Sequence, residues 1–444
     1  MRKRIINLVS LLFADASAVT AALLISHAER TWLERFDAFS GYEGDWQRYA
    51  FSGFLYGFFA AVFYAFGLYT RRNDFWEETR KIFQGVFFLL ILIALYLFVT
   101  KTAEHYSRTM IVLVVVNSAW LLPLFRVLAK RLLYRLHIWQ LPALVVGNSL
   151  QTEKLINDLN ANWYLGFKPT KAPRKESVVF IATKHMPVET LESLIDYYKK
   201  RFADVIIIPY LHNLSFANTE IIDLRIGQIS MINIQNQLFR PGNLLLKGIT
   251  EWSIVVVLLP PFLLIYALIA LWIRLDSKGP VLFVQRRLGK NGRPFSCYKF
   301  RTMHSDGERM LQAYLAEHPE EATHYAHYHK YRNDPRVTRA GRWLRRFSLD
   351  ELPQMLNVLK GDMSLIGPRP YMLDERAKLG EKAETILHVR PGITGFWQVK
   401  GRNDLSFEAR TDLDVWYIRN WSLWLDFIIF VKTFEVLVTR RGAK

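Results

Sequence analysis

Two carboxylates stand side by side at Asp350 and Glu351, and the segments around them are rich in cations. Lys299-Phe300-Arg301 closes an alternating apolar and polar stretch, residues 281–298, that also carries Arg286, Arg287, Lys290 and Arg293. Gly367-Pro368-Arg369-Pro370 and Arg390-Pro391-Gly392 are rigid turns, each presenting an arginine. Guanidinium groups grip phosphate oxygens in bidentate pairs. Adjacent carboxylates bind Mg²⁺ or act as nucleophiles. This combination suits phosphoryl transfer.

The same tetrapeptide, Ser348-Leu349-Asp350-Glu351, reads as a capping box opening a helical run through Leu359. The two readings agree, because a helix N-terminus favours anions and keeps Asp350 ionised. Other patterns compete less well. Asp412-Leu413-Asp414 matches the D-x-D of nucleotide-sugar glycosyltransferases, as a metal site. His324, His327 and His329 have roughly helical spacing, and a solvated helix face is favoured over a metal site. Gly289-Lys290 lacks the rest of a phosphate loop. The single cysteine, Cys297, excludes a disulfide framework and reads as a packed core residue. Arg339, Arg342, Arg345 and Arg346, beside Trp343 and Phe347, read as a membrane-surface helix.

Stepping outward from these residues, the chain has 444 residues, a net charge of +18 and 51% hydrophobic residues. Such a composition excludes a disordered chain, and the charge asks for an anionic partner: nucleic acid or a phosphate-faced membrane. The apolar distribution selects the membrane. Residues 8–26, 49–69, 82–100 and 109–125 are each about the ~20 residues needed to cross a bilayer. Arg2, Lys3 and Arg4, the 71–81 loop and the 126–135 segment hold most of the flanking cations, which puts the N-terminus and the end of the fourth span in the cytoplasm. Asp15 lies inside the first span and is expected to pair within the bundle. From residue 141 short apolar runs alternate with helical patterns, which predicts a small parallel sheet. Its first turn has one glycine where a dinucleotide fingerprint needs three, so a packing or dimerisation module is favoured over nucleotide binding. Residues 249–273 form a fifth apolar segment with Pro260-Pro261 at its centre. Two prolines remove two backbone donors, so a kinked crossing or a re-entrant helix follows, and the re-entrant form is favoured. The expected fold is therefore a four-helix transmembrane domain over 1–135, a cytoplasmic Rossmann-like α/β module over 136–240, and a monotopic, α-rich domain with a re-entrant helix over 241–444.

Six motifs, met in order, carry a resemblance. They are Lys299-Phe300-Arg301-Thr302-Met303, Asn333-Asp334-Pro335-Arg336, Ser348-Leu349-Asp350-Glu351-Leu352-Pro353-Gln354, Lys360-Gly361-Asp362-Met363-Ser364, Gly367-Pro368-Arg369-Pro370 and Arg390-Pro391-Gly392-Ile393-Thr394-Gly395. Together they resemble the bacterial sugar transferases, the polyprenyl-phosphate hexose-1-phosphate transferases, over residues 245–444. The N-terminal region resembles the larger, galactose-transferring members. That resemblance implies transfer of a sugar 1-phosphate from a UDP-sugar to undecaprenyl phosphate with release of UMP. Galactose 1-phosphate is the first expectation and glucose 1-phosphate the second; a UDP-releasing glycosyltransferase using Asp412 and Asp414 is the outside alternative. Asp350 falls on the attacking aspartate and Glu351 on the glutamate that helps hold Mg²⁺. Lys299, Arg301, Arg369 and Arg390 fall on basic positions expected to bind phosphates. The family further implies initiation of cell-surface polysaccharide synthesis, a multi-pass protein of the bacterial inner membrane with its catalytic domain on the cytoplasmic face, membrane lipids and no nucleic acid as partners, and a homodimer.

Overall fold

The structure, a computed structural model, describes all residues except 1, 37–43, 51–53, 148, 175–176, 185, 203, 210–218, 225–228, 235, 319–333, 402–404 and 440–444. His324, His327 and His329 therefore lie outside the described residues, as does Asn333. The protein is mostly helical, with small parallel sheets, and divides into two compact units, Met1–Leu211 and His212–Lys444.

The first unit opens with α1 (Arg2–Leu33), a short α2 (Trp46–Tyr49), α3 (Phe54–Ala65), α4 (Phe75–Thr100) and α5 (Arg108–Arg135). Of these, α1, α4 and α5 are long and apolar enough to cross a membrane. The second expected span is not: α3 has 12 residues, about 18 Å at 1.5 Å per residue, against a hydrocarbon core of about 30 Å. Its apolar run is cut by α2 on one side and by the turn at Gly67, whose φ is +72°, on the other. The bundle core holds a buried ionic network. Arg126 donates to Asp15 at 2.7 and 2.6 Å and to Glu78 at 2.7 Å, Lys130 pairs with Glu78, and Tyr69 donates to Asp15 at 2.6 Å. Asp15 thus accepts three hydrogen bonds from two partners, Arg126 and Tyr69, which offsets the cost of an isolated charge among apolar helices.

After the bundle come β1 (Leu141–Gly147), α6 (Ser149–Ala161), β2 (Phe167–Pro169), β3 (Val178–Ala182), α7 (Val188–Lys199) and β4 (Val205–Ile208). The strands form one parallel sheet in the order β2-β1-β3-β4. Val178 to Ala182 are buried throughout, as a central parallel strand requires. Gly147 ends β1 at φ +136°, and a Cβ there would strike the Ala182 carbonyl. Its lack of a side chain therefore serves the strand pairing itself.

The second unit begins with a hairpin, β5 (Thr219–Leu224) and β6 (Ile229–Ile234), and then α8 (Pro241–Asp276). This helix of 36 residues is the fourth with the length and hydropathy of a membrane span. It continues through Pro260 and Pro261, where the sequence leads one to expect a kinked crossing or a re-entrant helix. Two missing donors weaken the helix there without ending it, because apolar side chains on either side pack against the domain: Val255 and Phe262 join one core cluster, Ile269 and Ile273 another. Beyond it lie the antiparallel pair β7 (Leu282–Leu288) and β8 (Pro294–Phe300), α9 (Gly307–Glu317), α10 (Arg339–Arg346), a 3-10 turn (Leu349–Gln354), α11 (Met355–Lys360), β9 (Ser364–Ile366), β10 (Gly392–Thr394), α12 (Phe407–Arg419) and α13 (Leu423–Thr439). The parallel pairing of Ser364 with Gly392 and of Ile366 with Thr394 lays the two arginine turns side by side.

Candidate active site

The two carboxylates do not sit on the first turn of an α-helix. Ser348 adopts a left-handed conformation, φ 55° and ψ 23°, and its side chain makes no capping bond. The chain then runs as a 3-10 turn before α11 begins at Met355. Pro353 has no N–H to continue an α-helical ladder, so the expected capping box does not form. At about 120° per residue a 3-10 turn splays neighbouring side chains apart. Glu351 turns to Lys299 on β8, with Nζ to Oε1 at 2.6 Å. Asp350 feels the charges of Glu351, of Lys299 and of Arg345 at the end of α10, whose Nε donates to Thr302 Oγ1 at 2.9 Å. Burial and the Glu351 charge push the Asp350 carboxyl up to about 6, against the pull of Lys299 and Arg345. A carboxylate in that position is mostly ionised at neutral pH and poorly solvated, the two properties a nucleophile needs.

A second layer of cations stands beyond Lys299. Arg287 is buried on β7, donates to Gln285 at 2.6 and 3.1 Å and to the Pro370 carbonyl at 3.0 Å, and so ties β7 to the Arg369 turn. Arg369 and Arg410 both lie over Trp397, at 5.7 and 5.6 Å from the ring centre. Burial and the nearby Arg369 charge lower the pKa values of Arg287 and Arg410. Guanidinium groups that discourage one another's charge in a half-buried site are stabilised by an anion. The Arg369 turn is held from behind by Asp414, which accepts from the Arg369 N–H at 3.1 Å and from Tyr371 Oη at 2.8 Å. Burial pushes Asp414 up to about 7.

Of the residues singled out from sequence, the structure brings Asp350, Glu351 and Lys299 together, with the Arg369 turn tied to the same sheet through Arg287. Arg301 has other partners. Its guanidinium donates to the Lys278 carbonyl at 2.9 Å, the Ser277 carbonyl at 2.7 Å and Ser277 Oγ at 2.9 Å, closing the C-terminal end of α8. Arg390 is exposed and lines a different cleft, with Lys290 and the N-terminal part of α8; Asp350, Glu351 and Lys299 are not among that cleft's lining residues. The D-x-D pattern does not act as a pair. Residues two apart on a helix point to opposite sides, and Asp412 pairs with Lys382 at 2.7 Å while Asp414 is buried under Tyr371. No cluster of three metal-ligating side chains is found among the described residues. Cys297 is fully buried, and burial pushes its thiol up to about 11, so it is a core residue. Arg287, Arg345 and Arg410 are the site residues that sequence reasoning missed; Arg287 and Arg345 were visible only as members of basic runs.

Comparison with known proteins bears on the family of the chain. The family profile for bacterial sugar transferases matches residues 242–440. An undecaprenyl-phosphate galactose phosphotransferase of Salmonella typhimurium is 34% identical over 84% of each chain. A UDP-galactose-lipid carrier transferase of Erwinia amylovora is 30% identical over 84% of each. An undecaprenyl-phosphate glucose phosphotransferase of Komagataeibacter xylinus is 40% identical over 49% of this chain and 41% of its own. The likeness to the first two runs through both units, so it reaches well beyond the carboxylate pair and its cations. The chain is a transferase of the phosphotransferase type and belongs to the bacterial sugar transferase family, in its large polyprenyl-phosphate form.

Proposed function

We propose that this protein transfers galactose 1-phosphate from UDP-galactose to undecaprenyl phosphate, releasing UMP, as the first membrane step of a cell-surface polysaccharide. The observation that carries the reading is Asp350, a half-buried carboxylate whose pKa is pushed up to about 6 and whose charged neighbours are Glu351, Lys299 and Arg345. Galactose is favoured over glucose because the two galactose-named relatives match over 84% of this chain and the glucose-named one over 49%.

In the first step an Asp350 carboxylate oxygen attacks the β-phosphorus of the donor. The bond between that phosphorus and the oxygen bridging to the α-phosphate breaks, and UMP leaves with the bridging oxygen. In the second step a phosphate oxygen of the lipid attacks the same phosphorus, and the carboxylate leaves as Asp350. No net proton transfer is needed in either step, which suits a site without a histidine among its described residues. Lys299, Arg287, Arg369 and Arg410 surround the diphosphate and offset its charge. Arg301 has a positioning role, fixing the end of α8. Although they diverge on the 3-10 turn, Glu351 and Asp350 are adjacent carboxylates that would hold Mg²⁺, which typically takes one or two carboxylates together with substrate phosphates. Mutual repulsion of Glu351 and Asp350 is among the causes that raise the Asp350 pKa, and a cation held by Glu351 and Asp350 would relieve it. When bound, Mg²⁺ supplies charge neutralisation at the phosphoryl oxygens.

The re-entrant reading of α8 gains support from both of its ends. Near the start, Lys247 pairs with Asp426 at 2.7 Å and Glu251 accepts from Ser364 at 2.6 Å. At the far end, Asp276 accepts from the Ala340 N–H at 2.9 Å and Arg301 closes the last turn. One domain thus grips both ends of the helix, which fits a helix that enters and leaves on one face. We place that face in the cytoplasm at the inner membrane, read the parallel sheet of the first unit as a Rossmann-like packing module, and take the protein as a homodimer. Purified protein in vesicles with undecaprenyl phosphate and a panel of UDP-sugars tests the assignment. UMP formed with UDP-galactose is expected; UDP as the product would support the glycosyltransferase alternative, and preference for UDP-glucose would replace the sugar.

A further inference from the structure

We propose that the cleft between the N-terminal part of α8 and the β9 region holds a resident anionic phospholipid, its phosphate bound by Lys290 and Arg390. The cleft has a volume of about 550 Å³, within the range of small-molecule sites. One wall is the outward side of α8, with Leu245, Ile249 and Trp252 at 66%, 55% and 52% exposure, and Leu244 beside them. Such residues on a membrane-associated helix face acyl chains. Lys247 and Glu251 also line the cleft, but they are paired with each other at 2.8 Å, and Lys247 with Asp426. Lys290 and Arg390 are exposed, and their side chains have no ion pair or hydrogen bond among the described residues. The remaining uncompensated charge is therefore positive, beside an apolar wall. A diacyl lipid with a net negative headgroup matches both features: phosphate to the two cations, acyl chain along Leu245, Ile249 and Trp252.

The occupant is a bilayer phospholipid and not the acceptor, because none of Asp350, Glu351 and Lys299 lines the cleft. A lipid seated there does not lie on the nucleophile. This inference goes beyond the proposed reaction and is tested without turnover. Full-length protein is placed in phosphatidylcholine nanodiscs doped with phosphatidylglycerol, released into the gas phase, and the retained lipids are identified by native mass spectrometry. Wild type is expected to retain phosphatidylglycerol in preference to phosphatidylcholine. The double variant Lys290→Gln/Arg390→Gln is expected to bind it roughly twenty-five-fold more weakly, each cation contributing about a factor of five. The charge-conserving double variant Lys290→Arg/Arg390→Lys is expected to restore binding, which separates lost charge from lost folding. Asp350→Asn is expected to retain the lipid like wild type, so failure of the reaction scheme leaves this result intact. Equal retention of the two phospholipids, retention unchanged by the Gln pair, no rescue by the charge-conserving pair, or a polyprenyl phosphate as the retained species would each overturn the proposal.

Discussion

A carboxylate that titrates near 6 is more nucleophilic than one near 4 and is still mostly ionised at pH 7. Asp350 reaches that value through burial first and Glu351 second. The sign of its effect on rate follows directly: protonation removes the nucleophile, so the donor half-reaction should be flat above pH 7 and fall about tenfold per unit well below pH 6. A stopped assay of UMP formation across that range checks the profile; a rate that holds constant down to pH 4.5 or so would exclude an ionised Asp350 as the attacking group. Asp414 carries a second, separate pH signature. Its folded pKa, about 7, lies above the ordinary 3.8, so the folded state binds the proton more tightly than the unfolded one. Stability from that proton is present below about pH 4 and is lost as pH rises through 7. Asp414→Asn cannot ionise, so its melting temperature relative to wild type should climb between those values, which a pair of thermal melts at each pH would read. The dyad and Lys299 were legible in the sequence because adjacent carboxylates and a Lys-x-Arg pattern are visible locally. Arg287, Arg345 and Arg410 were not singled out, because strand pairing and turn packing bring them in from separate segments. Arg301 and Arg390 looked like their neighbours in sequence and differ only in what the fold places around them.

At the scale of elements, length and hydropathy made α1, α4, α5 and α8 readable, since a run of twenty apolar residues has few other uses. The alternation of strands and helices likewise announced the parallel sheet. Local pattern misled where proline and backbone conformation decide. The Ser-x-x-Glu signature promised a capped α-helix, yet a left-handed Ser348 and Pro353 make a 3-10 turn. The span expected over residues 49–69 contracts to α3 because the apolar count could not register α2 or the Gly67 turn. For α8 the prolines signalled weakness, while contacts hundreds of atoms away in the fold decide what the helix does with it. Its two ends, tied to Asp426 and Ala340, belong to one domain. Single cysteines at Arg240 and Lys278, in a Cys297→Ser background, are therefore expected to react with a membrane-impermeant reagent from the same side of inverted or right-side-out vesicles. Labelling from opposite sides would make α8 a true crossing.

At the scale of the whole molecule, the proposed reactive groups all fall in one of the two compact units. Asp350, Glu351, Lys299 and the three arginines around Trp397 and Pro370 lie within His212–Lys444. The first unit has its own core and its own ionic network around Arg126. A chain beginning at Pro241 is expected to keep sugar-phosphate transfer with reduced thermal stability; a folded, membrane-bound truncate without activity would show that the first unit takes part in chemistry. The central claim is the covalent intermediate on Asp350, and isotope exchange tests it most directly. Enzyme stripped of endogenous lipid phosphate is incubated with UDP-galactose and labelled UMP. Because attack by Asp350 is reversible before any acceptor binds, wild type is expected to carry label into UDP-galactose, while Asp350→Asn, which keeps the side-chain shape without the nucleophile, carries none and loses several orders of magnitude in turnover. Exchange that appears only when undecaprenyl phosphate is added back, or that survives in Asp350→Asn, would contradict the account and leave direct transfer between the two substrates in its place.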